Sequence, residues 1–243
     1  MTSRPFSLAL ACISLIVLAA SAVTTPRDLR SALDELAEIS RKEAPQNPIS
    51  REYSDRTVRL RHRLRDYAIG SVVDATRRTS VIQEVLSLAR QRIKEADLSL
   101  RQAERGTGSD ATPTARLELF AAKDAPDWIG IRTEVSLPCG YDVAVYLLRL
   151  SASPDGTLEI TLAFAKENIL ESVADLASHF EVIAHRAPTG EALRVATIEA
   201  AGGCSSLWKP VRMRVYQSDE HPYRPLRLFE RERLAFLGES HTP

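Results

Sequence analysis

The chain has 243 residues, of which 44% are hydrophobic and 26% are charged, and its 32 basic and 32 acidic side chains cancel. This composition is ordinary for a soluble globular protein of one or two domains. Residues 27–105 carry 17 Lys and Arg against 13 Asp and Glu, and a net charge of +4 is too small to indicate a nucleic-acid partner.

Residues 1–22 have the layout of a secretory signal peptide. Arg4 precedes an apolar run from Phe6 to Ala19, and the small residues Ala20-Ser21-Ala22 suit a signal peptidase. Cleavage there would deliver a secreted or periplasmic protein. The alternative is an uncleaved anchor, because the 18 residues from Phe6 to Val23 are close to the minimum for a membrane span. Both interpretations predict export, and only the second gives the protein a membrane partner.

Export determines how the cysteines are interpreted. Cys12 would leave with the signal peptide, and the mature chain would keep Cys139 and Cys204. Two cysteines in an oxidising compartment most often pair, so we predict a Cys139–Cys204 disulfide. The sequence places no histidine so as to suggest a thiol nucleophile, and the spacing of 65 residues does not suggest a metal site.

Residues 23–105 are predicted to be helical. Thr25 and Asp28 are suited to the first turn of a helix, and apolar residues then follow at spacings of three and four. A second stripe of this kind starts near Ser50, and Ser80–Gln83 has the pattern of a capping box that opens a third helix. The second and third helices could also be continuous. The region is therefore a helical hairpin or a three-helix segment.

The pattern changes after residues 106–114, a linker rich in small polar residues, glycine and proline. Residues 115–217 contain short runs of Val, Ile, Leu and Tyr separated by turn residues, which predicts a mostly antiparallel β domain, a sandwich, and an α+β protein overall. We interpret residues 141–150, YDVAVYLLRL, as a central strand because they are apolar on both faces. The competing interpretation is a helix with Asp142 as its cap.

Two segments interrupt the strand pattern. Ile169, Val173, Leu176 and Phe180 have helical spacing, so one short helix is expected to cover an end of the sheet. Residues 218–243 are predicted to form a C-terminal extension. Its segment PLRLFERERLAFLG is compatible with a short helix or with a strand.

The candidate binding residues fall into two groups. The first is a basic stretch of the second helix, which could recognise acidic groups or simply be a solvated helix face; its members are Arg59, Arg61, His62, Arg63 and Arg65. The second is Trp128 and Trp208, which adjoin strands and could pack in the core or form an exposed binding face. Asp142 is interpreted as one of several turn aspartates that satisfy backbone amides.

The sequence contains no G-x-S-x-G elbow, no phosphate-binding glycine loop and no H-E-x-x-H motif. We therefore predict no catalytic, cofactor-binding or metal-ligating residues. The expected function is an exported, non-enzymatic binding or interaction module for a protein or small ligand, with self-association through the helices. One alternative is a secreted hydrolase with a dispersed site, whose structural sign would be a cleft with convergent acids and a perturbed pKa.

A further alternative comes from the order of the segments. An N-terminal apolar stretch, coiled-coil-like helices and a small α+β domain are similar in layout to the inner-membrane alignment proteins of pilus and type II secretion machines. This resemblance implies a membrane-anchored envelope assembly component that retains residues 1–23. It also implies a ferredoxin-like domain in which residues 141–150 form a helix.

Overall fold

In the part of the chain that the structure, a computed structural model, describes, three helices precede eight strands. The helices are α1 (Pro26–Lys42), α2 (Arg51–Thr76) and α3 (Ile82–Glu104). The strands are β1 (Thr114–Ala122), β2 (Ala125–Leu137), β3 (Gly140–Ala152), β4 (Leu158–Lys166), β5 (Ala177–Arg186), β6 (Leu193–Ala201), β7 (Trp208–Gln217) and β8 (Leu226–Phe236). The structure describes residues 24–42, 48–104, 113–137, 139–172, 175–187, 192–201, 208–218 and 221–236.

The first two helices begin near the positions that the sequence indicates, Thr25 and Ser50. The backbone N–H of Asp28 donates to Thr25 Oγ1 at 3.3 Å, and the N–H of Thr25 donates to the Asp28 carboxylate at 2.7 Å. Ser50 caps α2 by accepting from the N–H of Tyr53 at 3.2 Å. These contacts satisfy amides that have no partner inside the helix, which is why the helices start where they do.

A turn separates α2 from α3, so the two helices are distinct. Arg77 is the C-cap of α2, and α3 begins at Ile82. The polar contacts at this start belong to Thr79, which accepts from the N–H of Val81 at 3.1 Å and donates to Glu84 at 2.6 Å. These contacts are made by Thr79 and not by the predicted Ser80, and they reach residues two and five positions further on, so they differ from the capping box that was predicted.

The strands form one antiparallel sheet that is folded into two halves. Its order is β1-β2-β3-β5-β6-β7-β8, and β4 pairs with the other part of β3. Strands β3 and β5 are joined through a single pair, Tyr141 with Ala177. The sheet can bend there because so few hydrogen bonds cross the junction, and β1–β4 then face β5–β7. The predicted α+β class and sandwich-like β domain are confirmed.

Two hydrophobic cores hold the layers together. The first lies between the helices and the outer face of β1–β3, with Leu60, Leu64 and Val85 packed near Ile131 and Tyr146. The second lies between the halves of the sheet and is built from alternate residues of β3 with β6 and β7. Strand β3 supplies both cores because residues 142–148 are all buried. Its prediction as a central strand, apolar on both faces, is confirmed.

The short helix predicted from Ile169, Val173, Leu176 and Phe180 is wrong in its extent, because Phe180 lies in β5, and Val173 falls outside the described residues. Strand β4 ends at Lys166 and β5 begins at Ala177. The described residues between them are irregular, with bends at residues 171, 172 and 176 and a 3₁₀ position at Asp175. Asp175 holds this turn by accepting the N–H groups of Glu171 and Ser172 at 3.0 and 2.7 Å. Phe180 is then used by β5 to fill the core between the sheets, which overrides the helical spacing.

The C-terminal extension contains a strand, so of the two alternatives that its sequence left open the strand is the one observed. Residues 226–236 form β8, which pairs with β7 from Trp208–Phe236 to Gln217–Leu226. The sheet thus continues beyond residue 217, the predicted end of the β-rich region. Arg–Glu pairs across the two strands, described below, favour this hairpin over a helix.

Candidate functional site

A buried ion pair connects the helices to the middle of the sheet. Arg61 of α2 donates through Nη1 to both carboxylate oxygens of Asp142 at 2.9 and 3.2 Å, and to the carbonyl of Asn168 at 3.0 Å. The side chains are 4% and 0% exposed, respectively. Strand β3 is central, so the Asp142 carboxylate has no access to water. The guanidinium is the group that compensates its charge.

Glu167 gathers several groups beside this pair. It accepts from Tyr146 at 2.7 Å and lies 3.3 Å from His62 Nε2, 3.5 Å from Arg61 and 3.6 Å from Arg65. Although burial opposes the charged form, the contacts with His62, Tyr146 and Arg61 lower the pKa of Glu167 to about 2. Burial and the hydrogen bond to Glu167 raise the pKa of Tyr146. Glu167, which directly follows β4, thereby connects side chains of α2 and β3.

We expect Glu167 to give the fold a dependence on acid. Its folded pKa of about 2 lies below the ordinary 4.5, so ionised Glu167 stabilises the protein above pH 4.5 and loses this effect as the pH falls towards 2. Between pH 6 and pH 3, the wild type should lose about 2 kcal/mol more unfolding free energy than Glu167→Gln, measured by urea denaturation. The matched control is Glu118→Gln, because Glu118 on β1 forms an ion pair with Arg116 that is partly exposed. Equal acid sensitivity of wild type and Glu167→Gln would contradict this role.

A second charged cluster lies between the halves of the sheet. Lys166 is ion-paired with Glu199 of β6, and Arg214 of β7 lies 3.2 Å from the other oxygen of Glu199. Arg214 Nε also donates to Glu230 of β8 at 2.8 Å. Burial lowers the pKa of Lys166, and the Glu199 charge opposes this shift. The Lys166 ammonium also lies 5.4 Å from the centre of the Phe180 ring.

A small cleft opens beside this second cluster. Its volume is about 150 Å³, and the β4–β5 connection, β5, β6 and β7 line it. The lining residues that carry polar or large side chains are Asn168, Ile169, Asp175, Leu176, Glu199, Arg212 and Arg214. The cleft thus presents carboxylates, guanidinium groups and an amide around an apolar part. This combination suits a small molecule with both a positive and a negative group.

A larger depression of about 440 Å³ lies on α3, but we do not take it as the site. All its lining residues belong to α3: Gln83, Leu86, Ser87, Arg90, Gln91 and Lys94. A hollow along one helix holds no converging groups from different elements. The cleft of the second cluster does have such groups, and Glu199 at its wall is only 8% exposed.

The structure does not bring the predicted binding residues onto one surface. Arg61 was predicted to lie on an exposed binding surface. This prediction is wrong, because the Arg61 side chain is buried and its guanidinium is ion-paired with Asp142. His62 and Arg65 join the Glu167 network. Arg63 donates to the Asp28 carbonyl at 3.0 Å, and half-exposed Arg59 lies 3.9 Å from Glu35. The basic stretch therefore points in several directions around α2, as alternation along a helix requires.

The two tryptophans lie in different environments. Trp128 is 3% exposed in the core between the sheets, beneath Arg149, so its predicted place on a binding face is wrong. It is buried because its position in β2 faces the second half of the sheet. Trp208 at the start of β7 is 56% exposed and stays a candidate for contact with a partner.

Sequence reasoning missed the acidic members of both clusters. Asp142 is part of a strand and not a turn aspartate, and it is 1% exposed. A signal was present, since a carboxylate in a run that is apolar on both faces must find a cation. The partner could not be named, because Arg61 is 81 residues away. For Glu199, flanked by Ala, Thr and Ile, there was no comparable signal.

The predicted disulfide falls partly outside the described residues. Cys139 lies in the turn between β2 and β3 with a positive φ of 79°. Cys204 belongs to residues 202–207, which the structure does not describe. The pairing of the two cysteines therefore stays a prediction, as do the export signal and its cleavage within residues 1–23.

No protein-family model, curated protein or solved structure matches this chain significantly. Within the described ranges, no helix combines the length and apolar character that a membrane span requires. Groups of three or more His, Cys, Asp or Glu placed to hold a metal ion do not occur among the residues from 24 to 236 that are described. The candidate site thus rests on the geometry of the charged cleft.

Proposed function

We propose that this protein is an exported, non-enzymatic binding module that holds a small zwitterionic molecule in the cleft between β5, β6 and β7. The observation that carries the proposal is the convergence of Glu199, Arg212 and Arg214 on this cleft. A ligand ammonium would contact the Glu199 and Asp175 side, and a ligand carboxylate would contact the guanidinium side. Charge-assisted hydrogen bonds of this kind give both affinity and orientation.

The size of the cleft limits the class of ligand. A volume of about 150 Å³ corresponds to about five water molecules at their share of liquid volume. This suits a free amino acid or a similarly small molecule. Leu176 and the alanines at 177, 200 and 201 supply the apolar part of the lining.

The ion pairs around the cleft support binding by a preformed site. Arg212 is held by Glu232 at 2.5 Å and Arg214 by Glu199 and Glu230. Held in this way, the guanidinium groups lose little conformational freedom when a ligand binds. The apolar stripes of α1–α3 are buried against each other and β1–β3, so self-association through the helices is not part of the proposal.

We also propose that Cys139 and Cys204 form a disulfide in the exported protein. Tyr141 pairs with Ala177, and Ala177 pairs with Ala201. Two strand spacings place Tyr141 and Ala201 about 10 Å apart. The three residues from Ala201 to Cys204 can span a further distance of about 10 Å, enough to bring the cysteines within bonding range.

A secreted hydrolase is the second candidate function. The observation that favours it is buried Lys166, whose lowered pKa and contact with Glu199 place a perturbed pair at the cleft. One structural expectation of the membrane-anchored alternative is not met. A ferredoxin-like domain would need a helix at residues 141–150, and these residues form β3.

Ligand binding is tested by thermal unfolding with a panel of free amino acids and dipeptides. A panel member at about 100 times its Kd should stabilise the wild type by about 2.7 kcal/mol. Arg212→Ala should lose this stabilisation, because the side chain lines the cleft and is partly exposed. Arg233→Ala on β8 is the matched control and should keep it. Absence of any shift, or an equal shift in Arg212→Ala, would refute the cleft as a zwitterion site, and turnover of a dipeptide would favour the hydrolase.

A further inference from the structure

Strand β8 is a long edge strand with one side open. Its 11 residues pair with β7 and with no other described strand. Apolar side chains on it are exposed, with Leu226, Leu228, Phe229 and Leu234 between 44% and 66% accessible. Soluble proteins usually shorten, cover or interrupt such an edge, because its free N–H and C=O groups can accept another strand.

The two faces of β8 differ in charge. On the face towards the sandwich, Glu230 and Glu232 are neutralised by Arg214 and Arg212. On the outer face, Arg231 and Arg233 lie opposite Met213 and Val211, and Phe229 lies opposite Val215. Neither Arg231 nor Arg233 has an ion pair within the part of the chain that is described. The outer face of this edge is thus positive and apolar.

A second copy of the chain would place like charges opposite each other in the two registers centred on the charged part of this edge. When two copies of β8 pair about a two-fold axis, the outer face of one strand continues into the outer face of the other. Residues directly opposite each other therefore come from the same face of the two strands. A two-fold axis at Arg231 would place this arginine against its copy and Glu230 against Glu232. An axis at Glu232 would place Arg231 against Arg233. Like charges directly opposite each other destabilise a strand pair.

We propose that the open edge of β8 binds an acidic, extended segment of another protein as an added strand. In antiparallel pairing, the segment would place two acidic residues opposite Arg233 and Arg231 and an apolar residue opposite Phe229. Because side chains alternate between faces, this predicts the pattern acidic-x-acidic-x-apolar. Main-chain hydrogen bonds would supply affinity, and the arginines would select the partner.

The first test is fluorescence anisotropy with the full mature protein and a labelled peptide, TVDTETVT, which contains this pattern. We expect saturable binding that weakens at least tenfold in the double variant Arg231→Glu/Arg233→Glu. Both residues are exposed, so the variant should fold, and circular dichroism checks this. The lysine peptide TVKTKTVT should bind the double variant and not the wild type. A peptide of the same composition with adjacent acids, TVDETTVT, is the register control.

The second test separates strand addition from simple charge attraction. Hydrogen–deuterium exchange of the wild type with TVDTETVT should slow at the amides of β8 and leave α1 unchanged. Failure of the peptide to bind would overturn the proposal, as would equal binding to the double variant or binding without protection of β8. Peptide binding is measured without any amino acid, and ligand binding in the cleft is measured without the peptide, so the two proposals can fail independently.

Discussion

Replacing Arg61 with methionine is expected to lower the free energy of unfolding by about 3–5 kcal/mol. The substitution leaves the carboxylate of Asp142 without its cation at a position that is 1% exposed. It also removes the donor to the Asn168 carbonyl and a neighbour of Glu167. A buried charge that loses its partner costs far more than the pair contributes when both partners are present.

Urea denaturation at pH 7 measures this effect. Arg59→Met is the matched control on the same helix, since Arg59 is 51% exposed and its ion pair with Glu35 is long, at 3.9 Å. Its cost should stay below about 1 kcal/mol. The double variant Arg61→Met/Asp142→Asn should be more stable than Arg61→Met alone, because the remaining buried group is then neutral. Equal costs for Arg61→Met and Arg59→Met would show that the buried pair does not stabilise the fold.

Removing the proposed disulfide is expected to have an effect of similar size. Cys204→Ala should destabilise the exported protein by about 4 kcal/mol, because a Cys139–Cys204 bond closes a loop of about 66 residues and restricts the unfolded chain. Cys139→Ala should cost about the same, and the double variant little more, since each substitution abolishes the same cross-link. Guanidinium unfolding under oxidising conditions measures all three.

Reduction provides the control within the wild type. Wild-type protein treated with dithiothreitol should unfold at the denaturant concentration of Cys204→Ala, and the variant should not respond to the reductant. Alkylation followed by intact mass should label two cysteines only after reduction. Labelling of both thiols in untreated exported protein would disprove the disulfide and return Cys139 to consideration as a reactive group.

The two proposed sites use different parts of the same hairpin. Arg212 and Arg214 line the cleft and are paired with Glu232 and Glu230 on the same face of the hairpin. Arg231 and Arg233 lie on the opposite face of β8. A partner strand on β8 would lie next to the glutamates that hold the cleft arginines. Peptide binding at the edge and ligand binding in the cleft can therefore both be measured on Arg212→Ala and on Arg231→Glu/Arg233→Glu, which shows whether the two sites influence each other.

Local patterns were enough to predict most of the elements. Thr25 and Ser50 begin their helices because a side-chain oxygen must satisfy the first free amides, which depends on neighbours in the chain. Residues 141–150 were assigned to a central strand because a run that is apolar on both faces requires cover on both faces. The segment from Ile169 to Phe180 misled the prediction, since its helical spacing was outweighed by the need to place Phe180 in the core.

The sequence by itself determined the class of the protein: helices first, then a largely antiparallel β domain with a central strand near residue 145. Only the tertiary structure decided which charges meet. Arg61 and Asp142, or Lys166 and Glu199, are brought together by the packing of separate elements, and no spacing along the chain encodes that distance. Alternation and capping are short-range effects, whereas a buried ion pair and a cleft depend on the folding of the whole chain.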